Sequence, residues 1–107
     1  MENWKYLRRA KKAVLEGRIV EVIIKEFSIY FFLGHKYDYI VTANSCSCKY
    51  FLYNFKCYHI LALSEALKEE KVKRISITPQ LLKEILIEIY TDGKSLKLRR
   101  LVYSDKT

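Results

Sequence analysis

The sequence predicts an α+β fold in which a three-stranded antiparallel meander is flanked by helices. Three observations support this prediction. Residues 18–43 are dense in β-branched and aromatic side chains, residues 2–16 and 79–91 show helical periodicity, and three cysteines and one histidine fall within residues 46–59. With 107 residues, half of them hydrophobic, we expect one domain over 1–107 whose thin core would benefit from a crosslink.

The first element is predicted to be a basic amphipathic helix that ends near Gly17. Its cationic residues recur at a spacing of three to four and therefore share one face. They are Lys5, Arg8, Arg9 and Lys12.

Three apolar runs predict the strands of the meander, and Gly34-His35-Lys36 supplies the turn between the last two. The runs are "RIVEVIIKEF", "SIYFFLG" and "YDYIVTA". After the cysteines we expect a helix over about 58–71 and a short strand over 72–77. Thr78 and Pro79 begin a further helix as its N-cap and first residue, and Gly93 ends it. The tail, 95–103, alternates like a strand and then loses that phase.

The segment "CSCKYFLYNFKCYH" contains every cysteine of the chain. Cys46 and Cys48 are two residues apart, so in an extended chain both side chains point to one side. Cys57 and His59 have the same spacing, which requires Cys57 just before the next helix and His59 in its first turn. Three thiolates and one imidazole are typical of a closed structural Zn²⁺ site, so we predict one zinc ion. The alternative is three buried free cysteines beside a core histidine.

The spacing C-x-C-x8-C-x-H resembles the SWIM-type zinc finger. "CSCKYF" is similar to the opening of that family, and "CYHILAL" to its C-x-H-x-x-A continuation, with Ala62 on the ligand face of the helix. The resemblance covers 37–70 and implies a zinc-bound strand–strand–helix finger. The extended form also resembles the SWIM subunit of Shu-type complexes and its archaeal relatives. This implies a role in homologous recombination beside a RecA-family ATPase paralogue.

The formal charge of +8 favours an anionic partner, and nucleic acid is the commonest for a small basic protein. We expect DNA contacts from the first helix, the segment between the cysteine pairs and the tail, although a solvated basic surface is the alternative. Phe51 and Phe55 are expected to line the zinc core. The candidate nucleic-acid residues are Lys5, Arg8, Arg9, Lys12, Tyr50, Tyr53, Lys56, Arg99 and Arg100.

The helix "PQLLKEILIEIY" is apolar around most of its circumference. Its second side must be covered by a partner, by a second copy of the chain, or by the meander and the tail. The candidate interface residues are Leu82, Ile85, Leu86 and Ile89.

These patterns favour a zinc-stabilised adaptor in DNA recombination and repair, with a stand-alone DNA-binding regulator as the alternative. We expect no enzyme, because no nucleophile–base pair or carboxylate pair is evident and no P-loop motif occurs. No apolar run approaches the ~20 residues of a membrane span, and the N-terminus lacks the apolar segment of a signal peptide. We therefore expect an intracellular, cytoplasmic protein without membrane contact.

Overall fold

Five helices and four strands follow one another along residues 3–103, which are the residues that the computed structural model describes. In chain order they are α1 (Asn3–Leu15), β1 (Ile19–Ile24), β2 (Phe27–Leu33), β3 (Asp38–Val41), α2 (Lys49–Asn54), α3 (Tyr58–Lys68), β4 (Lys73–Ser76), α4 (Pro79–Asp92) and α5 (Leu96–Tyr103). Residue 2 of the predicted first helix lies outside the described residues. No helix within 3–103 combines the length and apolar character needed to cross a membrane.

The strands form one sheet in the order β3-β2-β1-β4. The antiparallel pairs β1–β2 and β2–β3 confirm the predicted meander. β4 confirms the short strand predicted over 72–77 and joins the sheet as a fourth strand parallel to β1, a position that was not predicted. The first strand is also shorter than predicted, because Lys25 and Glu26 form a turn between β1 and β2.

The sheet separates two apolar cores, because successive side chains of a strand point to opposite faces. The register pairs Ile19 with Phe32, and these two pack in the core that contains α1, α3 and the cysteines. It pairs Val20 with Phe31, and these pack in the core that contains α4 and α5. We call the first the finger-side core and the second the far core.

The apolar circumference of α4 is covered largely by the chain itself. Ile85 is fully buried in the far core, and Leu82, Leu86 and Ile89 pack half-buried against it. The predicted partner interface is therefore wrong for Ile85, and its three neighbours contribute to the core. The sheet and the tail cover the second apolar side of α4, which is one of the alternatives that the sequence left open. Tyr90 is the most exposed apolar residue of this helix, at 91%.

The tail forms helix α5, and its first turn is held by polar groups. Leu98 N–H donates to the Ser95 hydroxyl (3.1 Å), as expected of an N-cap. Arg99 donates from Nε to Asp38 Oδ1 (3.0 Å) and from Nη2 to the Gly34 carbonyl (2.8 Å). The assignment of Arg99 to a nucleic-acid surface is therefore wrong, because its guanidinium is used to attach α5 to the start of β3. Residues 104–107, which follow the tail, lie outside the described residues.

Candidate metal centre

The first pair of candidate ligands lies where the chain folds back beside β3. Cys46 pairs with Val41 in an isolated antiparallel bridge. Two hydrogen bonds continue this pairing: Ser47 N–H donates to the Ile40 carbonyl (3.0 Å), and Ile40 N–H donates to the Ser47 hydroxyl (3.0 Å). This extended pairing turns Ser47 towards β3 and leaves Cys46 and Cys48 on the other side, as their spacing predicts.

Cys48 and Cys57 each stand at the beginning of a helix. Cys48 is the N-cap of α2, and its Sγ accepts a hydrogen bond from Phe51 N–H (3.4 Å). Cys57 is the N-cap of α3, so His59 falls in the first turn, as the spacing required. The segment between the pairs forms helix α2. The finger therefore contains β3, the extended segment at Cys46 that pairs with it, and α3, and it differs from the predicted strand–strand–helix arrangement by the additional helix α2.

The four ligand atoms of Cys46, Cys48, Cys57 and His59 lie within 4.8 Å of one another, and all four residues are buried. Bonds of about 2.0–2.3 Å would set the ligand atoms of a tetrahedral zinc ion about 3.5–3.8 Å apart. Cys46 Sγ and His59 Nδ1 are already 3.6 Å apart. All three cysteines are free of disulfide bonds, so each sulfur is available as a ligand. The donor set and its spacing therefore fit one zinc ion, with every position of the tetrahedron supplied by the protein.

Aromatic rings surround the imidazole of His59 and fix its orientation. Tyr39 stacks on it at 4.7 Å between ring centroids, with Phe32 at 4.3 Å and Tyr58 at 4.4 Å. Phe32 and Tyr39 are direct neighbours across β2 and β3. These aromatic residues were not among those predicted for the site. The alternation of β2 and β3 was a usable signal, because it places Phe32 and Tyr39 on the face of the sheet that the finger covers.

Hydrogen bonds among the ligands separate the pKa values of the three thiols. The pKa of Cys57 is lowered to about 4, first by a hydrogen bond from the Cys46 thiol and also by one from His59. The pKa of Cys46 is raised by that same hydrogen bond and by burial. Burial also raises the pKa of Cys48. Zinc binding therefore displaces protons from Cys46 and Cys48, whereas Cys57 is already a thiolate.

This closed site of three thiolates and one imidazole, set on a mixed α+β fold, defines the class: a zinc-finger protein whose ion is structural. A family model matches the segment that contains the four ligands. Residues 32–68, about a third of the chain, match the family model described as SWIM zinc finger. The matched segment includes both Phe32 and Tyr39 and extends to the end of α3. Comparison with curated proteins and with solved structures gave no match.

The structure divides the aromatic residues of α2 and its C-cap between the core and the surface. Phe51 is half-buried against the finger-side core, as expected. Phe55 is 79% exposed, so the expectation that it lines the zinc core is wrong. Tyr50 and Tyr53 are exposed at 46% and 80%, and Lys56 is also exposed. The finger therefore presents aromatic rings to solvent beside a cation.

Helix α1 places its cationic face beside the finger. Its four predicted residues Lys5, Arg8, Arg9 and Lys12 are all exposed. The hydroxyls of Tyr6 and Tyr50 are hydrogen-bonded, which joins α1 to α2. The Arg9 guanidinium lies over the ring of Tyr58, 5.5 Å from its centroid, which joins α1 to α3. Arg100 is exposed on α5, a helix that packs into the far core, so the structure does not bring it together with this face.

Proposed function

We propose that this protein is a zinc-stabilised adaptor that binds nucleic acid through α1 and the finger and carries out no chemistry itself. The observation that carries this proposal is the position of the exposed cations of α1 directly beside exposed aromatic rings of the finger. Cations that track phosphates and rings that stack on bases are the two components of non-specific single-strand binding. The net charge of +8 supplies the long-range attraction.

Ion pairs support the proposal, because they join the basic helix to α3 of the finger. Lys11 Nζ lies 3.2 Å from Oε1 of Glu65, which is on α3, and 3.7 Å from Oε2 of Glu69, which is the C-cap of α3. These ion pairs use Lys11, whereas the four cations of the proposed surface on α1 remain exposed. A preformed surface loses less entropy on binding than a mobile segment does.

The absence of catalysis is supported by the chemistry of the metal site. A catalytic zinc ion keeps one position for water or substrate, whereas here protein atoms supply all four. Zinc in this site would hold the segment that carries Cys46 and Cys48 to α3, and its binding energy would contribute to folding. The site therefore shapes the binding surface and does not act on a substrate.

Charge reversal in α1 tests nucleic-acid binding. The double variant Arg8→Glu, Arg9→Glu should bind DNA more weakly. The slope of log K against log salt should become shallower by about 0.7–0.9 for each phosphate that the variant no longer neutralises. The melting temperature should change little, because both residues are exposed. The measurement is fluorescence anisotropy across a salt series.

The matched control for that experiment is Lys83→Glu, Lys94→Glu, which changes the net charge equally from exposed positions on and just after α4. These positions lie on the far-core side of the sheet. Unchanged affinity in the α1 variant, or an equal loss in the control, would contradict a specific surface on α1.

We infer further that the partner of the adaptor is a RecA-family ATPase paralogue, with a role in DNA recombination and repair. The resemblance of "CYHILAL" to the Shu-type SWIM subunits and their archaeal relatives supports this identification. The exposed apolar tip of the finger offers a surface for it. This finger tip is Leu52, Tyr53 and Phe55, which are exposed at 62%, 80% and 79%. Clustered exposed apolar side chains are typical of protein interfaces.

Purification of the tagged protein from its native host tests the partner. The unaltered chain should recover an ATPase of the RecA family, and Leu52→Asp, Phe55→Asp should lose it while retaining zinc. Ile87→Asp, an exposed apolar site on α4, is the control. If the chain instead recovers no ATPase and binds DNA tightly alone with a steep salt dependence, it is a stand-alone DNA-binding regulator.

A further inference from the structure

Three cavities adjoin one another along the exposed side of α1. Their volumes are about 400, 350 and 330 Å³, at the small end of the range for ligand sites. Arg9 lines all three, Tyr6 lines the first two, and Tyr58 lines the last two. The cavities therefore form one continuous depression, which we call the tyrosine groove.

The middle cavity of the tyrosine groove lies against the zinc centre. Its walls include Tyr6, Tyr50 and Tyr58, together with the ligands Cys57 and His59. Tyr6 and Tyr50 meet edge to face, with centroids 6.2 Å apart. Along the groove, aromatic rings thus alternate with cations.

Each end of the groove is cationic. Lys5 and Arg8 line the first cavity, and Lys12 lines the third together with Arg18 and Glu16. The Arg18 side chain is engaged in intramolecular hydrogen bonds. It donates from Nε to Glu16 Oε1 (2.8 Å) and from Nη1 to the Leu33 carbonyl (2.7 Å). This pairing neutralises Glu16. The cations that the third cavity offers to a ligand are therefore Lys12 and Arg9.

We propose that the tyrosine groove binds single-stranded nucleic acid, with bases against the tyrosine rings and phosphates at the cations of both ends. This inference rests on the proposed nucleic-acid binding and specifies its substrate and its path. A single strand exposes base faces that can stack on Tyr50, whereas a duplex keeps its base faces stacked inside and offers only phosphates and groove edges. A duplex would therefore leave the tyrosines unused.

The test measures anisotropy of labelled oligothymidylate of about 16 nucleotides, near the largest site size of one small single-strand-binding domain. Its duplex with oligodeoxyadenylate and the matching oligouridylate are measured in parallel. The zinc-loaded protein should prefer the single strand over the duplex at equal salt. Tyr50→Ala should weaken single-strand binding at least about fivefold and leave duplex binding nearly unchanged. Tyr50→Phe, which keeps the ring but not the hydroxyl, should retain the affinity.

Two further sets of variants locate the strand along the groove. Lys12→Ala should reduce the salt slope for oligothymidylate by about 0.7, the value for one neutralised phosphate on a single strand. Tyr90→Ala and Lys83→Ala remove an exposed ring and an exposed cation from α4, and both should bind as the unaltered chain does.

The outcomes separate this inference from the proposed function. Equal or tighter duplex binding, or an unaffected Tyr50→Ala variant, overturns the tyrosine groove while nucleic-acid binding itself stands. No measurable binding of any oligonucleotide overturns both. Tighter binding of oligouridylate than of oligothymidylate supports the groove and identifies RNA as the preferred strand, because the bases stack in the same way and the sugar carries the 2′-hydroxyl.

Discussion

Two of the zinc ligands also begin helices, so single residues serve both metal binding and helix capping. Cys48 and Cys57 stand at the N-caps of α2 and α3. The unpaired N–H groups of a helix N-terminus carry partial positive charge, which favours a thiolate over a thiol at that place. Both helix ends therefore point at the sulfur cluster. This arrangement makes the ligands and the helices depend on one another.

Replacing Cys57 with Ser should remove zinc and unfold the finger. Zinc contributes ~10 kcal/mol or more to folding in finger peptides, which matches the whole stability of a typical domain. Metal content and the thermal melt are the measurements. The control is Lys56→Ala, an exposed neighbour that should keep one zinc ion and the normal melt. A soluble Cys57→Ser protein that melts cooperatively without zinc would contradict a structural role for the ion.

Zinc affinity should fall as the pH falls, because the ion displaces thiol protons. Cys46 and Cys48 have raised pKa values and are protonated before binding, whereas Cys57, with a pKa of about 4, is not. About two protons therefore leave per zinc ion near neutral pH, and the association constant should drop about a hundredfold per pH unit. Competition against a chelator of known proton linkage measures this slope. A slope of three would show that Cys57 is protonated too.

At the scale of elements, the β1–β2 turn determines which side chains reach which core. This turn has two residues, and shifting the register by one position would move Phe32 to the far core and Phe31 to the finger side. Lys25 occupies its first position with φ of 56°, a conformation that suits glycine. Lys25 is exposed, so no packing requires its side chain. The turn therefore contains removable backbone strain.

Lys25→Gly should stabilise the protein by about 0.5–1 kcal/mol. Glycine removes the steric cost of positive φ but adds some entropy to the unfolded chain, and the first effect is larger. Chemical denaturation measures the change. Glu26→Gly, at the neighbouring position without positive φ, should not stabilise. Equal effects at both positions would show that the gain does not come from relieving strain at Lys25.

At the scale of the whole molecule, a buried polar network joins the end of the chain to the middle of the sheet. The Asp38 carboxylate is fully buried and accepts from Arg99 and from Ser95 N–H (2.8 Å). The Ser95 hydroxyl donates in turn to Glu88 Oε1 (2.7 Å), and this bond lowers the pKa of Glu88. The network therefore ties α4 and α5 to β3, the strand that leads into the finger. Its Glu88 contribution should be present above about pH 4.5 and be lost as acid protonates that carboxylate.

Arg99→Met should destabilise the protein by about 3–5 kcal/mol, because it leaves a buried carboxylate without its partner. Denaturant unfolding at neutral pH measures the loss. Arg100→Met removes an exposed charge from the same helix and should cost much less. If Arg99→Met instead weakened DNA binding and left stability unchanged, Arg99 would belong to the nucleic-acid surface and not to the fold.

The sequence by itself determined the zinc finger. Its four ligands lie within fourteen residues, and their geometry depends on local spacing and on where a helix begins. The meander and the bounds of α4 were also predictable, because β-branched runs, Thr78, Pro79 and Gly93 act on their immediate neighbours.

Only the tertiary structure decided which contacts a side chain makes when its partners are distant in sequence. Arg99 is paired inward by Asp38, which lies 61 positions away, and Tyr6 meets Tyr50 across 44 positions. The tail became α5 because Leu98 and Val102 fill the far core, although its sequence alternates like a strand. A local pattern gives the character of a residue but not its neighbours. The neighbours are set when the two faces of the sheet are covered, and that packing created both the buried ion pair and the tyrosine groove.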